Sequence, residues 1–184
     1  LNDAIPDPPK ASERIVFLTD VRTTKQCSSC PLQPLISVDA IQQAVLRLYG
    51  PQAGGQVFPN YMSSFSFEQL EKMLNNDEEA EPVEEAITRA GWLVFAMLNI
   101  TEEQPSSSAL QRFLAERPDL FHQKRLIVFA FNAPYYLDAT NISKITDYYG
   151  MYSKNPIFIE VASRLLFREL IPLGSLPISV PGIG

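Results

Sequence analysis

This chain is short of the residues that most enzymes and nucleic-acid binders rely on. Among its 184 residues there is one histidine, His122, and there are two cysteines, Cys27 and Cys30. A single histidine leaves a Ser-His-Asp or Cys-His arrangement little support, because the base must come from one fixed place. His122 sits in a turn leading into an apolar run, on the amino-end side of a parallel sheet, and reads as a surface residue. Basic residues are scattered, with Lys124-Arg125 the one adjacent pair, and the formal net charge is −6. Neutralising a phosphate backbone takes clustered Lys and Arg, so nucleic acid is excluded as an expected partner, and an anionic membrane surface fits poorly. The longest apolar runs, residues 92–98 and 126–131, are too short to span a bilayer. Residues 1–12 show no basic segment followed by an apolar one, so no signal peptide is read there. No G-x-S-x-G, P-loop or G-x-G-x-x-G occurs, and no cofactor is expected.

What is present is the makeup of a packed domain. Hydrophobic residues make up 46% and charged residues 20%, which is neither disordered nor fibrous. The length suits one domain with a real core. Residues 1–12, with Pro6, Pro8 and Pro9, read as a linker or N-terminal arm, and residues 13–184 as a single α/β domain. Short, continuously apolar strands are expected at 14–18, 92–98 and 126–131, with a further short strand at 55–59 and another within 145–153. Helical periodicity falls at 38–49, from Ser66 through FEQLEKML, at 82–90, 106–116 and 156–170. The acidic run 77–81 reads as a solvated link between two helices. Strands that are apolar throughout and alternate with helices indicate a mainly parallel sheet covered on both faces. The expected fold is therefore a three-layer α/β/α sandwich, flavodoxin-like in kind.

In such a sheet the ligand crevice lies beyond the carboxyl ends of the strands. Four polar clusters should converge there: Thr19-Asp20-Val21-Arg22, Asn99, Asn132-Ala133-Pro134-Tyr135 and Tyr152-Ser153. Asp20, Arg22, Asn132 and Tyr135 are the candidate contact residues, expected near one another and partly exposed. Asp20 and Asp138 are the carboxylates best placed for sugar chemistry, which needs a pair. The blander reading is that Asp20 caps a turn and Asp138 a helix, and it is the favoured one. Tyr135, Tyr136, Tyr148, Tyr149 and Tyr152 form the densest aromatic cluster. Cys27-Ser28-Ser29-Cys30-Pro31 has the spacing of a redox pair, but residues 20–26 separate it from the strand and Pro31 and Pro34 follow it. A small local disulfide or two free thiols in a loop is the better reading. A zinc site would need a second Cys pair, and no metal is expected.

The last third also carries an ordered set of short motifs. Phe131-Asn132-Ala133-Pro134-Tyr135 ends a buried strand; residues 148–153 make a Tyr-to-Ser strand; residues 162–169 read A-S-R-L-L-F-R-E; residues 174–181 read G-S-L-P-I-S-V-P. This order resembles the end of the C-terminal α/β domain of glycoside hydrolase family 3, and looks closest to its β-N-acetylhexosaminidase branch. The resemblance implies a partner, a (β/α)8 barrel domain of the same polypeptide, and a carbohydrate substrate shared with it. It also implies that the nucleophilic aspartate and the His–Asp acid/base lie in that barrel, since no matching motif occurs here. In the β-glucosidase branch the second domain supplies an acid/base glutamate, and no glutamate of this chain matches that position. No catalytic residue is therefore expected in this chain. An extracellular or cell-envelope setting would follow from the resemblance. Two readings from other classes are a free-standing flavodoxin-like binding domain and a small Cys-x-x-Cys redox protein.

Overall fold

The structure is a computed structural model, and it describes residues 7–25, 27–134 and 136–172. In chain order its elements are β1 (Ile15–Thr19), β2 (Thr23–Thr24), β3 (Gln33–Pro34), α1 (Ala40–Tyr49), β4 (Met62–Ser66), α2 (Phe67–Leu74), α3 (Glu81–Arg89), β5 (Trp92–Met97), α4 (Ala109–Glu116), β6 (Arg125–Ala130), α5 (Ala139–Ile142), β7 (Asp147–Gly150) and α6 (Pro156–Leu166). Five strands form one sheet in the order β4-β1-β5-β6-β7, and every pairing in it is parallel. Numbered within that sheet the order is 2-1-3-4-5, the flavodoxin-like arrangement. β2 and β3 make a separate two-stranded antiparallel ribbon.

The three central strands are buried because both faces of the sheet are covered. Alternate residues of each strand feed opposite cores. Val16, Leu18, Leu93, Phe95, Leu126 and Val128 meet α2, α3 and α4 through Phe67, Leu70, Ile87 and Phe113. Ile15, Phe17, Trp92, Val94, Ile127 and Phe129 meet α1 and α6 through Ile41, Val45, Ile159 and Ala162. Full burial of side chains of this size contributes roughly 1.5–3 kcal/mol each. The helices start where their capping chemistry places them. The Ser66 hydroxyl accepts from the Gln69 N–H while the Gln69 side chain accepts from the Ser66 N–H, a reciprocal capping box for α2. Asn155 caps α6, with Pro156 in its first turn.

Several expected elements lie elsewhere in the structure. Residues 55–59 are not a strand: Gly54 and Gly55 take φ of 94° and 68° in a turn, and Pro59 opens a 3-10 turn. The edge strand is β4 instead, whose MSSFS sequence is only partly buried and so lacks an unbroken apolar signature. The expected helix 106–116 begins as a 3-10 turn at Pro105–Ser108, and only α4 is α-helical. The expected polar loop 21–34 contains the small ribbon. The strand within 145–153 is confined to β7. The helix expected at 156–170 ends at Leu166, and Arg168 beyond it takes φ 58°.

Candidate functional site at the carboxyl edge

All five parallel strands end on one edge, and the chain leaves β1 towards β4 but leaves β5 in the opposite direction towards β6. The neighbouring strands β1 and β5 therefore flank the topological switch point, where open α/β sheets open a crevice. Asp20 follows β1 there, and its N–H donates to the Ala96 carbonyl at 2.8 Å. Its carboxylate turns inwards and is 1% exposed, a correction to the expectation of partial exposure. The Arg22 guanidinium grips it with two prongs, Nε to Oδ1 at 3.2 Å and Nη2 to Oδ2 at 2.7 Å. The Leu98 N–H adds a third donor to Oδ2 at 3.3 Å. A carboxylate so placed trades hydration for fixed donors, which is what burial of a charge requires.

The network continues across the sheet. Arg22 Nη1 donates to Asn99 Oδ1 at 3.1 Å, Arg22 Nη2 also donates to the Asn99 carbonyl, and Asn132 Nδ2 donates to the same Asn99 Oδ1 at 3.1 Å. Asn99 is thus the hub that joins the residues after β1, β5 and β6. Its sequence signal was the abrupt stop of an apolar run, yet nothing in the sequence marks it as the centre. Of the four candidate contact residues, Asp20, Arg22 and Asn132 belong to one network, and Tyr135 lies outside the described residues. Residues 174–181, which carry the last motif of the resemblance, also lie outside them.

Neighbouring loops are tied to this edge. Thr19 Oγ1 donates to the Val38 carbonyl at 3.1 Å, and the Leu35 N–H donates to the Arg22 carbonyl at 2.7 Å, so the base of the ribbon holds the Arg22 backbone. Cys27 and Cys30 are joined by a disulfide near the tip of that ribbon. Gln104 Nε2 reaches back to the Val21 carbonyl at 3.2 Å, and buried Ser107 holds both the N–H and the carbonyl of Thr101. Beside the ion pair lies a cavity of about 510 Å³ lined by Arg22, Thr23, Val38, Ser66, Glu68 and Gln104, among others. Further along, the Tyr148 hydroxyl donates to the Pro134 carbonyl at 3.0 Å, and burial raises its pKa above the ordinary phenol value. A larger groove of about 570 Å³ lies between α1 and α6, with Leu35, Ala40, Lys154 and Pro156 in its walls.

The carboxylates considered for sugar chemistry both have structural tasks. Asp20 is held by three donors, and Asp138 Oδ1 caps α5 by accepting from the Asn141 N–H at 2.7 Å. His122 is exposed at the opposite, amino end, three residues before β6. Among the described residues no group of three or more His, Cys, Asp or Glu side chains is placed to hold a metal ion. None of the described helices is long and apolar enough to cross a membrane.

No family model matches this chain. No curated protein matches it. Among solved structures it is similar to a fungal multi-domain GH3 β-N-acetylglucosaminidase, described as containing a GCN5-related glucosamine N-acetyltransferase region. The TM-score is 0.61 at 20% sequence identity, over 100% of this chain and 17% of that one. This chain therefore spans well under a fifth of the length of the protein it resembles. A likeness at this identity is one of fold.

Proposed function

With a fold shared with part of a multi-domain glycosidase as the premise, we propose that this chain is a non-catalytic α/β domain of a family 3 glycoside hydrolase. In this reading residues 13–184 form one domain, C-terminal to a (β/α)8 barrel in the same polypeptide, with residues 1–12 as the connecting arm. The enzyme is of the β-N-acetylhexosaminidase or β-glucosidase type. The carboxyl edge packs on the barrel and forms one wall of its carbohydrate site through Arg22, Asn132 and Tyr135. Asp20 works from behind, by holding Arg22.

The observation that carries this reading is the state of Asp20. It sits at the switch point, where a catalytic carboxylate would be useful, yet it is covered and takes three donors. Such a group fixes the edge in shape but has no free access to a glycosidic oxygen or an attacking water. The ordered motifs at 131–135, 148–153, 162–169 and 174–181 support the family, and the fold likeness is compatible with it. The acetyltransferase region named for the similar protein does not change the choice, because among the described residues of this edge none is arranged for acyl transfer. The Cys27–Cys30 disulfide closes a ribbon rather than a strand-to-helix turn, which favours a structural part over a redox one.

The test has two arms. The purified chain should not turn over aryl N-acetyl-β-glucosaminide or aryl β-glucoside, and the polypeptide carrying it should encode a (β/α)8 barrel before residue 1. Turnover that survives removal of contaminating enzymes, or a polypeptide without a barrel, overturns the reading.

A further inference from the structure

One aromatic side chain at the carboxyl edge is half exposed and sits on an unusual backbone. Tyr152, just past β7, is 50% exposed and takes φ 57°, a left-handed conformation that bulky residues seldom adopt. Its ring has a firm backing. A Cβ built on Gly150 would come within 3.0 Å of Tyr152 Cε2 and 3.2 Å of Pro134 Cγ, so both rings lie against the bare glycine. The hydroxyl of Tyr148, on β7, is tied to the Pro134 carbonyl. Phe58, the other aromatic among the exposed large hydrophobics, precedes β4 and so lies towards the amino end of the sheet. Asn132 and Asn99 follow the next two strands along from β7, on the same edge as Tyr152.

A half-exposed ring backed on one side, on the same sheet edge as polar side chains, suits a ligand with one apolar face and a polar rim. A pyranose ring has that form. Its axial C–H bonds meet the negative face of an aromatic ring, and its hydroxyls need hydrogen-bonding partners at the margin. Resting on the reading of this edge as the wall of a carbohydrate site, we propose that Tyr152 is a stacking platform for a pyranose ring. Gly150 and Pro134 position it, and Asn132 follows the neighbouring strand on the same edge.

Amide NMR spectra of the 184-residue chain, titrated with methyl N-acetyl-β-glucosaminide and methyl β-glucoside, test this directly. Mannitol, which has hydroxyls but no ring face, is the control. Saturable shifts at residues 150–152 are expected with at least one pyranoside and not with mannitol. Tyr152→Ala should weaken binding roughly three- to tenfold, the range for one aromatic contact, and Tyr152→Phe should retain it. Tyr152→Gly should lose binding yet melt no lower than the parent, because glycine takes a positive φ without strain. Unchanged affinity in Tyr152→Ala overturns the proposal. So does the absence of saturable shifts with both pyranosides, or a Tyr152→Gly variant that melts lower while binding as the parent does. Loss of this proposal leaves the barrel-packing reading standing, whereas glycoside turnover by the chain or a missing barrel would remove that reading without touching a measured Tyr152 contact.

Discussion

The two ends of the sheet satisfy their polar groups in opposite ways. At the amino end long side chains lie along the surface with their charges near water. Lys124 Nζ donates to the Thr88 and Ala90 carbonyls at 2.8 and 2.7 Å, where α3 ends. Arg125 stacks over Trp92, Arg14 over Tyr61, and the Trp92 N–H finds Glu13 at 3.1 Å. Arg117 reaches Glu84 and Asp119, and that pairing holds the Asp119 carboxyl below its ordinary pKa. At the carboxyl end shorter groups, Asp20, Asn99 and Asn132, are drawn into one partly dehydrated network around Arg22. Solvent can replace a lost partner at the first end but not at the second. The amino end closes the domain; the carboxyl end fixes a surface that something else can be built on.

The largest effect should come from breaking the buried ion pair. Asp20→Ala leaves Arg22 without its counter-charge and the Leu98 N–H without an acceptor, and should cost about 3–5 kcal/mol in denaturant unfolding. A loss below 1 kcal/mol would mean that water already reaches this pair, and the contrast between the ends would collapse.

At the amino end Lys124→Met removes two hydrogen bonds but keeps the stem, and the freed carbonyls can turn to water. The expected loss is about 0.5–1.5 kcal/mol by thermal or chemical melting. A loss as large as that of Asp20→Ala would erase the distinction.

A smaller effect, visible only in alkali, sharpens the comparison along the sheet's outer strand. Burial first, and then the Asp147 charge, push the Tyr149 phenol up to about 12 from the ordinary 10. A folded-state pKa above the unfolded value means that the neutral phenol's contribution is whole below pH 10. It is lost as pH rises from 10 through about 12, because the unfolded chain ionises first. Unfolding midpoints should fall over that window, and Tyr149→Phe should flatten part of the fall. An identical alkaline limb in the variant would show that Tyr149 titrates like a free phenol.

The fold was readable where burial is two-sided. β5, and β1 and β6 apart from Thr19 and Arg125 at their ends, are continuous apolar runs because each has a neighbour strand on both sides and a core on both faces. β4 was not readable, because an edge strand with serine at three of its five positions carries no such constraint. The apolar Val57-Phe58 pair draws the expected strand to residues 55–59 instead, where it merely follows the turn at Gly54-Gly55. At the site, topology alone brings Asp20, Arg22 and Asn132 to one edge, since each follows a parallel strand. The inward turn of Asp20 depends on Arg22 being two residues away and on Asn99 lying across the gap to receive it. That is a long-range fact, 77 positions apart in sequence, with no local pattern to betray it.

The sheet order also has a cost during synthesis. Within this sheet β1 is the first strand to be synthesised, yet its partners are β4 and β5, and Ile15 meets Trp92 only after roughly eighty more residues have been added. At about 5–20 residues per second, a largely apolar pentapeptide waits several seconds without the strands that will cover its edges. The nascent chain must keep IVFLT from pairing with other molecules over that interval. The segment that follows β1 directly, residues 20–34, is mostly polar, so it adds no second sticky run beside IVFLT during that wait.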